Sequence, residues 1–322
     1  MRPPRFWFAQ PGLRAHLLAP LGWWRARAMA RRMARPGWRA PVPVIAVDSL
    51  LGGDVLPAVL ALAGQLEGRG LAPVILMPGK GAARRVQEGS HGAADVGADG
   101  LLAAAFAPTW VAGDLAAGAR AIAGDGAAPG CILLVGGFHD PALFKALSVI
   151  VVDAAQGFGN GFCRPAGPLQ EPLSQSLRRA DLLLSVGPPA LQSRFAAEWG
   201  RGLGMPLIMG RMEAMPTGMD WSGLRALALS GAGEPGHFLA ALRGLGAEVT
   251  RAVTLPEDQA LTPALVTRLM REAALRGAQI VTTEASAVLL PVALRREVLV
   301  LPMRLRVAEW SALDEALTRL GA

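Results

Sequence analysis

An α/β protein is predicted: a doubly wound, mostly parallel sheet, a second and smaller α/β domain, and an N-terminal amphipathic helical segment. Three features of the sequence carry the prediction. Short, uniformly apolar runs alternate with helical patterns, as in strands covered on both faces and joined by crossover helices. A second such series follows a break near residues 211–224. The first forty residues differ from the rest in being rich in arginine and tryptophan. With 322 residues the chain is long enough for two ordinary domains, each with its own core.

In chain order, residues 5–33 read RFWFAQPGLRAHLLAPLGWWRARAMARRM, with Phe6, Trp7, Phe8, Leu17, Leu18, Leu21, Trp23 and Trp24 set among Arg14, Arg25, Arg27, Arg31 and Arg32. The segment lacks the continuous apolar core and cleavage site of a secretory signal. Its arginines also interrupt any run of the roughly 20 apolar residues that a bilayer-spanning helix needs. Two readings remain: a helix lying in a membrane headgroup layer through Trp23, Trp24, Arg25 and Arg27, or one packed on the protein's own core with a solvated arginine face. After the proline-rich RPGWRAPVP, strands are expected at VIAV (44–47), APVILM (72–77), CILLVG (131–136), LSVIVVD (147–153) and ADLLLSVG (180–187). The second series comprises LRALALSG (224–231), AEVTRAVT, AQIVTTEA and EVLVLPM, with helices at 238–245 and 263–276. The expected domains are thus 1–40, 41–212 and 213–322.

The net charge of +7 is supplied mainly by arginine, much of it in the first forty residues. Such asymmetry points to a local anionic surface, with no nucleic-acid partner expected. Cys131 and Cys163 alone suggest neither a disulfide framework nor a zinc site.

In a doubly wound sheet, ligands bind beyond the carboxyl ends of the strands. The first such loop, DSLLGGDVLP, has the outline of a phosphate-binding loop: Gly52 and Gly53 turn the chain toward a helix amino terminus. Val55 and Leu56 stand where a lysine and a hydroxyl residue are needed, and Asp54 adds a charge that repels phosphate. Lys80 and Arg84, after the second strand, are the nearest candidates for a substitute phosphate clamp. Asp153 ends an apolar strand, either as a metal ligand or as an ordinary cap of the next turn. Gly157, Phe158, Gly159, Asn160 and Gly161 begin a long glycine- and proline-marked loop of specific shape. His139 and Asp140 are candidates for acid–base chemistry, against the reading of a satisfied surface histidine. SGAGEPGHF and VTTEASAV are explained by helix capping and turn hydrogen bonds.

Taken in order, RPGWRAPVPVIAV (35–47), FGNGFCRPAGPLQEP (158–172), SGAGEPGHF and VTTEASAV resemble the tetraacyldisaccharide 4'-kinase family of lipid A biosynthesis over essentially the whole chain. The resemblance implies a P-loop NTPase-like fold and ATP with magnesium as cofactors. It implies a lipid A disaccharide precursor as substrate. The expected location is peripheral, at the inner-membrane surface on the cytoplasmic face, in a Gram-negative bacterium. The family's functional motifs depart in this chain. Its GNLTxGGxGKTP loop is DSLLGGDVLP here, and its DDGLQ is VGGFH, with Val135 and Gly136 in place of the acids. Its GDEP is GADG (97–100); its DHH is replaced by Glu257, Asp258 and Gln259; and the Lys-Asp of TTEKDA by Ala285 and Ser286. Two functions therefore follow as alternatives: a lipid kinase that works through altered residues, or a pseudokinase with a degenerate ATP site that binds lipid precursor, membrane or a partner.

Overall fold

The computed structural model describes residues 4–87, 89–126, 129–231, 235–255, 262–290 and 295–321. Two compact units are present, the first formed by residues 1–86, 106–211 and 306–322, the second by 87–105 and 212–305. The chain therefore does not divide into the contiguous runs 41–212 and 213–322. Residues 87–105 join the second unit, and the C-terminal seventeen or so return to the first.

In the first unit a 3-10 turn (Arg5–Phe8) and helix α1 (Leu13–Met33) precede strand β1 (Val44–Asp48) and helix α2 (Leu56–Gly68). There follow β2 (Pro73–Pro78), β3 (Arg84–Arg85), β4 (Thr109–Ala112), α5 (Leu115–Gly124), β5 (Cys131–Val135) and β6 (Leu147–Asp153). Helix α6 (Leu173–Arg179), β7 (Leu182–Val186), α7 (Pro189–Trp199) and β8 (Leu207–Ala214) complete the first pass. The intervening helices α3 (Ala93–Val96) and α4 (Ala98–Ala104) belong to the second unit.

The sheet order is β13-β8-β7-β6-β1-β5-β2-β4-β3, where β13 is Met303–Val307. Strand β1 is parallel to both neighbours, Val47 lying opposite Val135 of β5 and Asp48 opposite Ile150 of β6. The chain winds outward from β1 in both directions, so β1 marks the switch point at whose carboxyl edge such folds bind ligands. Its residues Val44 to Val47 are all buried, which explains the uninterrupted apolar run: a strand covered on both faces has no solvent side to mark with polar residues. Each of the valine and isoleucine side chains contributes roughly 1.5–3 kcal/mol by leaving water. On one face, Val44, Ala46, Leu76 and Leu134 pack with Ala116, Ala119 and Ile122 of α5. Farther along the sheet, Ile150, Val152 and Leu183 pack with Phe138, Phe158 and Phe195.

The second unit holds a four-stranded sheet in the order β10-β9-β11-β12, from β9 (Arg225–Gly231), β10 (Glu248–Leu255), β11 (Gln279–Thr282) and β12 (Leu299–Val300). All its pairings are parallel. Helix α8 (Pro235–Gly244) covers one face through Phe238 and Leu242, and α9 (Pro263–Leu275) the other through Val266, Leu269 and Ala273. Helix α10 (Glu284–Leu289) carries Glu284, which accepts a hydrogen bond of 2.9 Å from Arg304. The last helix, α11 (Ser311–Arg319), lies in the first unit, where Asp314 pairs with Arg69 at 2.7 Å.

Candidate functional site

The loop between β1 and α2 lies at the switch point, and its side chains are turned to structural use. Gly52 has φ +80°, the left-handed conformation that glycine adopts freely. Leu50, Val55 and Leu56 are buried, so the positions expected to bear a lysine and a hydroxyl are anchors to the core. Asp54 Oδ1 accepts the backbone N–H of Leu56 at 2.9 Å. A helix amino terminus attracts an anion because its first N–H groups lack partners. Here the chain supplies its own carboxylate to one of them, and burial raises the pKa of that carboxylate. The loop's side chains are the Ser49 hydroxyl, the Asp54 carboxylate and apolar groups, with no lysine or arginine among residues 49–57.

Asp48 ends β1 one residue beyond the predicted strand and was not singled out by sequence reasoning. Its Oδ1 accepts Ser49 N–H at 2.7 Å and its Oδ2 accepts Phe138 N–H at 2.9 Å. Burial raises its pKa, and these bonds together with His139 and Lys145 oppose the rise. A Cβ at Gly136, which has φ +73°, would lie 4.0 Å from Asp48 Oδ2. The β1 carboxylate thus faces the position just after β5 where the sequence lacks an acid.

A buried charged cluster continues from Asp48 through the β5–β6 connection. His139 is not at the surface: its side chain is 10% exposed, and its Nε2 lies 3.3 Å from Glu171 Oε1, too poorly aligned to be a hydrogen bond. Glu171, 2% exposed, accepts Ser176 Oγ–H at 2.7 Å and pairs with Arg179. Burial alone would raise the Glu171 pKa; His139, Ser176 and Arg179 around it outweigh burial and hold it below the ordinary value. The Arg179 guanidinium also sits 4.6 Å from the centre of the Phe138 ring. Lys145 donates to the backbone carbonyl of Asp140, and burial lowers its pKa to about 8. Asp140 Oδ1 accepts Ala142 N–H at 3.0 Å, an aspartate turn rather than a partner for His139.

The other predicted site residues are dispersed. Asp153 Oδ1 accepts Ala155 N–H at 2.7 Å and its Oδ2 accepts Gln156 Nε2 at 3.3 Å, the capping geometry of a strand end. Arg84 sits on β3, four strands from β1, or roughly 19 Å at ordinary strand spacing. Lys80 follows β2, two strands from β1, or roughly 10 Å. Glu257, Asp258 and Gln259 lie outside the described residues, as do residues 232–234 of SGAGEPGHF. Thr283 caps α10 by accepting Ser286 N–H at 3.3 Å, as the capping reading of VTTEASAV expects.

Gly157, Gly159 and Gly161 all have positive φ, which the loop after β6 requires. Phe158 is buried between Phe195 and Trp199, with ring centres at 5.8 and 5.2 Å. Asn160 is buried and bonds the N-terminal segment. That segment packs one side on the unit and leaves an apolar side exposed. Ala15, Gly22 and Ala26 of α1 are buried against the unit, whereas Leu13, Leu17, Leu21, Trp23 and Trp24 are 58–78% exposed. Arg27 sits 5.4 Å from the Trp23 ring centre. Nine arginines and no acidic residue precede Asp48. Among the described residues, no helix is long and apolar enough to cross a membrane.

Comparison with known proteins places this arrangement. Residues 14–321 match the family model described as tetraacyldisaccharide-1-P 4'-kinase. A protein of Dinoroseobacter shibae named tetraacyldisaccharide 4'-kinase is 48% identical, covering 99% of this chain and 98% of its own length. A Jannaschia protein of the same name is 44% identical, with 99% of both chains covered. The crystal structure of LpxK from Aquifex aeolicus in complex with ATP superposes with a TM-score of 0.73 at 20% identity, over 95% of this chain and 99% of that one, and shows the same fold. With the family model spanning nearly the full length, the chain belongs to the tetraacyldisaccharide-1-P 4'-kinase family of lipid A biosynthesis.

Proposed function

We propose that this protein acts on the lipid A pathway at the cytoplasmic face of the inner membrane of a Gram-negative bacterium, binding the tetraacyldisaccharide 1-phosphate of its family without efficient phosphoryl transfer. The observation that carries the reading is the β1–α2 loop. Asp54 takes a helix N–H that a phosphate would need, and Val55 and Leu56 are buried in place of cationic and hydroxyl groups. Phosphoryl transfer depends on positioning and charge stabilisation, and each missing electrostatic donor costs roughly 2.7–4 kcal/mol of barrier. The exposed apolar stripe of α1, beside arginines and without acids, supports the membrane surface as the place of work.

The test is turnover and binding measured together. Purified protein with tetraacyldisaccharide 1-phosphate, ATP and magnesium is expected to give no bisphosphorylated product, and magnesium-ATP no rise in melting temperature. A ligand at ~100 times its Kd would stabilise by about 2.7 kcal/mol, so binding of that strength would be plainly visible. Turnover comparable to a motif-complete family member overturns the proposal.

A second reading, kinase activity through relocated residues, is favoured by Asp48, whose carboxylate faces the Cβ direction of Gly136 from the neighbouring strand. It requires product formation that disappears in Asp48→Asn. Product formation unchanged by that substitution would reject Asp48 as the relocated acid.

A further inference from the structure

The N-terminal segment is tied to the loop after β6 at two separate places. Asn160 makes the first tie. Its Nδ2 donates to Phe6 O at 3.3 Å and Ala166 O at 3.0 Å, its Oδ1 accepts Phe162 N–H at 3.1 Å, and its backbone N–H donates to Trp7 O at 2.7 Å. An amide suits this position because one end must donate to two carbonyls while the other accepts an N–H. Gly159 permits the approach: with φ +63°, its added Cβ would stand 2.7 Å from Trp7 O. Trp7 in turn donates from Nε1 to Pro165 O at 3.1 Å. The second tie is in the middle of α1. A Cβ on Gly22 would come within 2.8 Å of Cys163 O, so helix and loop touch through backbone, and His16 packs edge-on against Phe162 at 5.4 Å.

These ties fix which side of α1 faces outward. Ala15, Gly22 and Ala26 define the buried side. At 3.6 residues per turn, Leu13, Leu17 and Trp24 fall about 180° from them. An outward stripe of leucine and tryptophan beside arginines, with no acid before Asp48, is complementary to an anionic bilayer. Nucleic acid would match the charge but leave the leucines in water.

We propose that Asn160 is a positioning residue that locks the N-terminal segment to the loop after β6, so that the protein meets an anionic lipid surface through α1 as a fixed platform. This rests on the membrane reading above. The helix does not peel away to bind; lipid docking and the loop that follows Asp153 are parts of one rigid assembly.

Cys163, beneath Gly22, reports on the lock, and Cys131, fully buried, stays silent. The experiment follows maleimide labelling of Cys163 in the full chain, with and without vesicles of phosphatidylethanolamine and phosphatidylglycerol, alongside tryptophan emission. In the unaltered protein, anionic vesicles are expected to shift the emission to the blue while labelling stays equally slow. Asn160→Asp, which sets an oxygen against two carbonyls, is expected to bind vesicles and to label at least ~10-fold faster through local opening. Should Asn160→Asp fail to fold, Gly22→Leu lifts the helix from Cys163 and is expected to give the same acceleration. Labelling of the unaltered protein that accelerates tenfold on vesicles overturns the platform, and an Asn160→Asp rate equal to the unaltered rate overturns the lock. Trp23→Ser with Trp24→Ser separates the premises. Vesicle binding that survives it refutes the membrane reading, while the Asn160→Asp rate in free solution still judges the lock.

Discussion

Replacing Glu171 tests whether the buried cluster beside β1 is a principal support of the first unit. The carboxylate is 2% exposed, accepts the Ser176 hydroxyl at 2.7 Å and pairs with Arg179. Glu171→Ala leaves the Ser176 hydroxyl, itself buried, without its acceptor, at about 1–3 kcal/mol. It also removes a charge-assisted bond worth roughly 1.5–3 kcal/mol. Arg179 is 31% exposed and can turn to water, which discounts the loss of the ion pair, so the net cost is about 3 kcal/mol. For a unit of this size that corresponds to a fall of roughly 6–12 °C in melting temperature. Glu171→Gln keeps the shape and the Ser176 bond and is expected to cost about half as much. Because the folded pKa is held below the ordinary 4.5, the stabilisation is complete above that value and is lost as pH falls through the folded value. Urea unfolding at a series of pH values should therefore show the gap between unaltered protein and Glu171→Gln closing as pH falls below the ordinary 4.5. A cost for Glu171→Ala under about 1 kcal/mol, or a Gln gap unchanged from neutral to acid pH, would refute the reasoning.

Lys145, with its pKa lowered to about 8 against an ordinary 10.5, is a charged group held at a cost below pH 8, and that cost is relieved as pH rises through the window between those values. Lys145→Met is accordingly expected to gain stability relative to the unaltered protein at neutral pH and to lose that advantage toward pH 10, as read from thermal melts. Asp54→Ala removes the bond to Leu56 N–H and should cost about 1 kcal/mol, whereas Asp54→Asn, which keeps an acceptor there, should be close to neutral. Gly159→Ala must place a Cβ against Trp7 O and Pro168 at positive φ and should destabilise by about 1–3 kcal/mol, measured by denaturant unfolding.

What the sequence disclosed depended on how local the determinant was. The runs at 44–47, 72–77, 131–136 and 147–153 became β1, β2, β5 and β6 within a residue or two because strands covered on both faces need only be apolar. Strands β4 and β8 were not anticipated: TWVA is short, and LIMGRMEA carries Gly210, Arg211 and Glu213 near a sheet edge, where one side meets water. The discontinuous units were equally hidden, since no residue in 87–105 signals which core it joins. At the site, the turn at Gly52 was legible from residue type, and Val55 and Leu56 proved to be buried. Asp48 was not, because its meaning comes from Gly136 and Phe138, about ninety residues away in sequence and adjacent only through strand pairing. His139 was misread as exposed for the same reason: its burial is imposed by Glu171, which arrives from the loop after β6.

The long motif that most clearly carries the family resemblance can be accounted for without a nucleotide. Gly157 lets the chain pass the Trp199 ring, where an added Cβ would lie 2.7 Å from Nε1, and Phe158 fills the core between α7 side chains. Gly159 and Asn160 receive the N-terminal segment, and Gly167 leaves room for the Asn160 side chain. Glu171 anchors α6 through Ser176 and Arg179. Each residue therefore has a packing or hydrogen-bonding reason that operates in the chain alone, so retention of the motif reports on the fold and on the seating of α1. Phosphoryl transfer has to be judged at the β1–α2 loop, and there the chain has set its own carboxylate and two core side chains where a nucleotide's partners would be. A protein can keep the first set of residues while losing the second, because the stability of the sheet does not depend on the ligand that such loops evolved to hold.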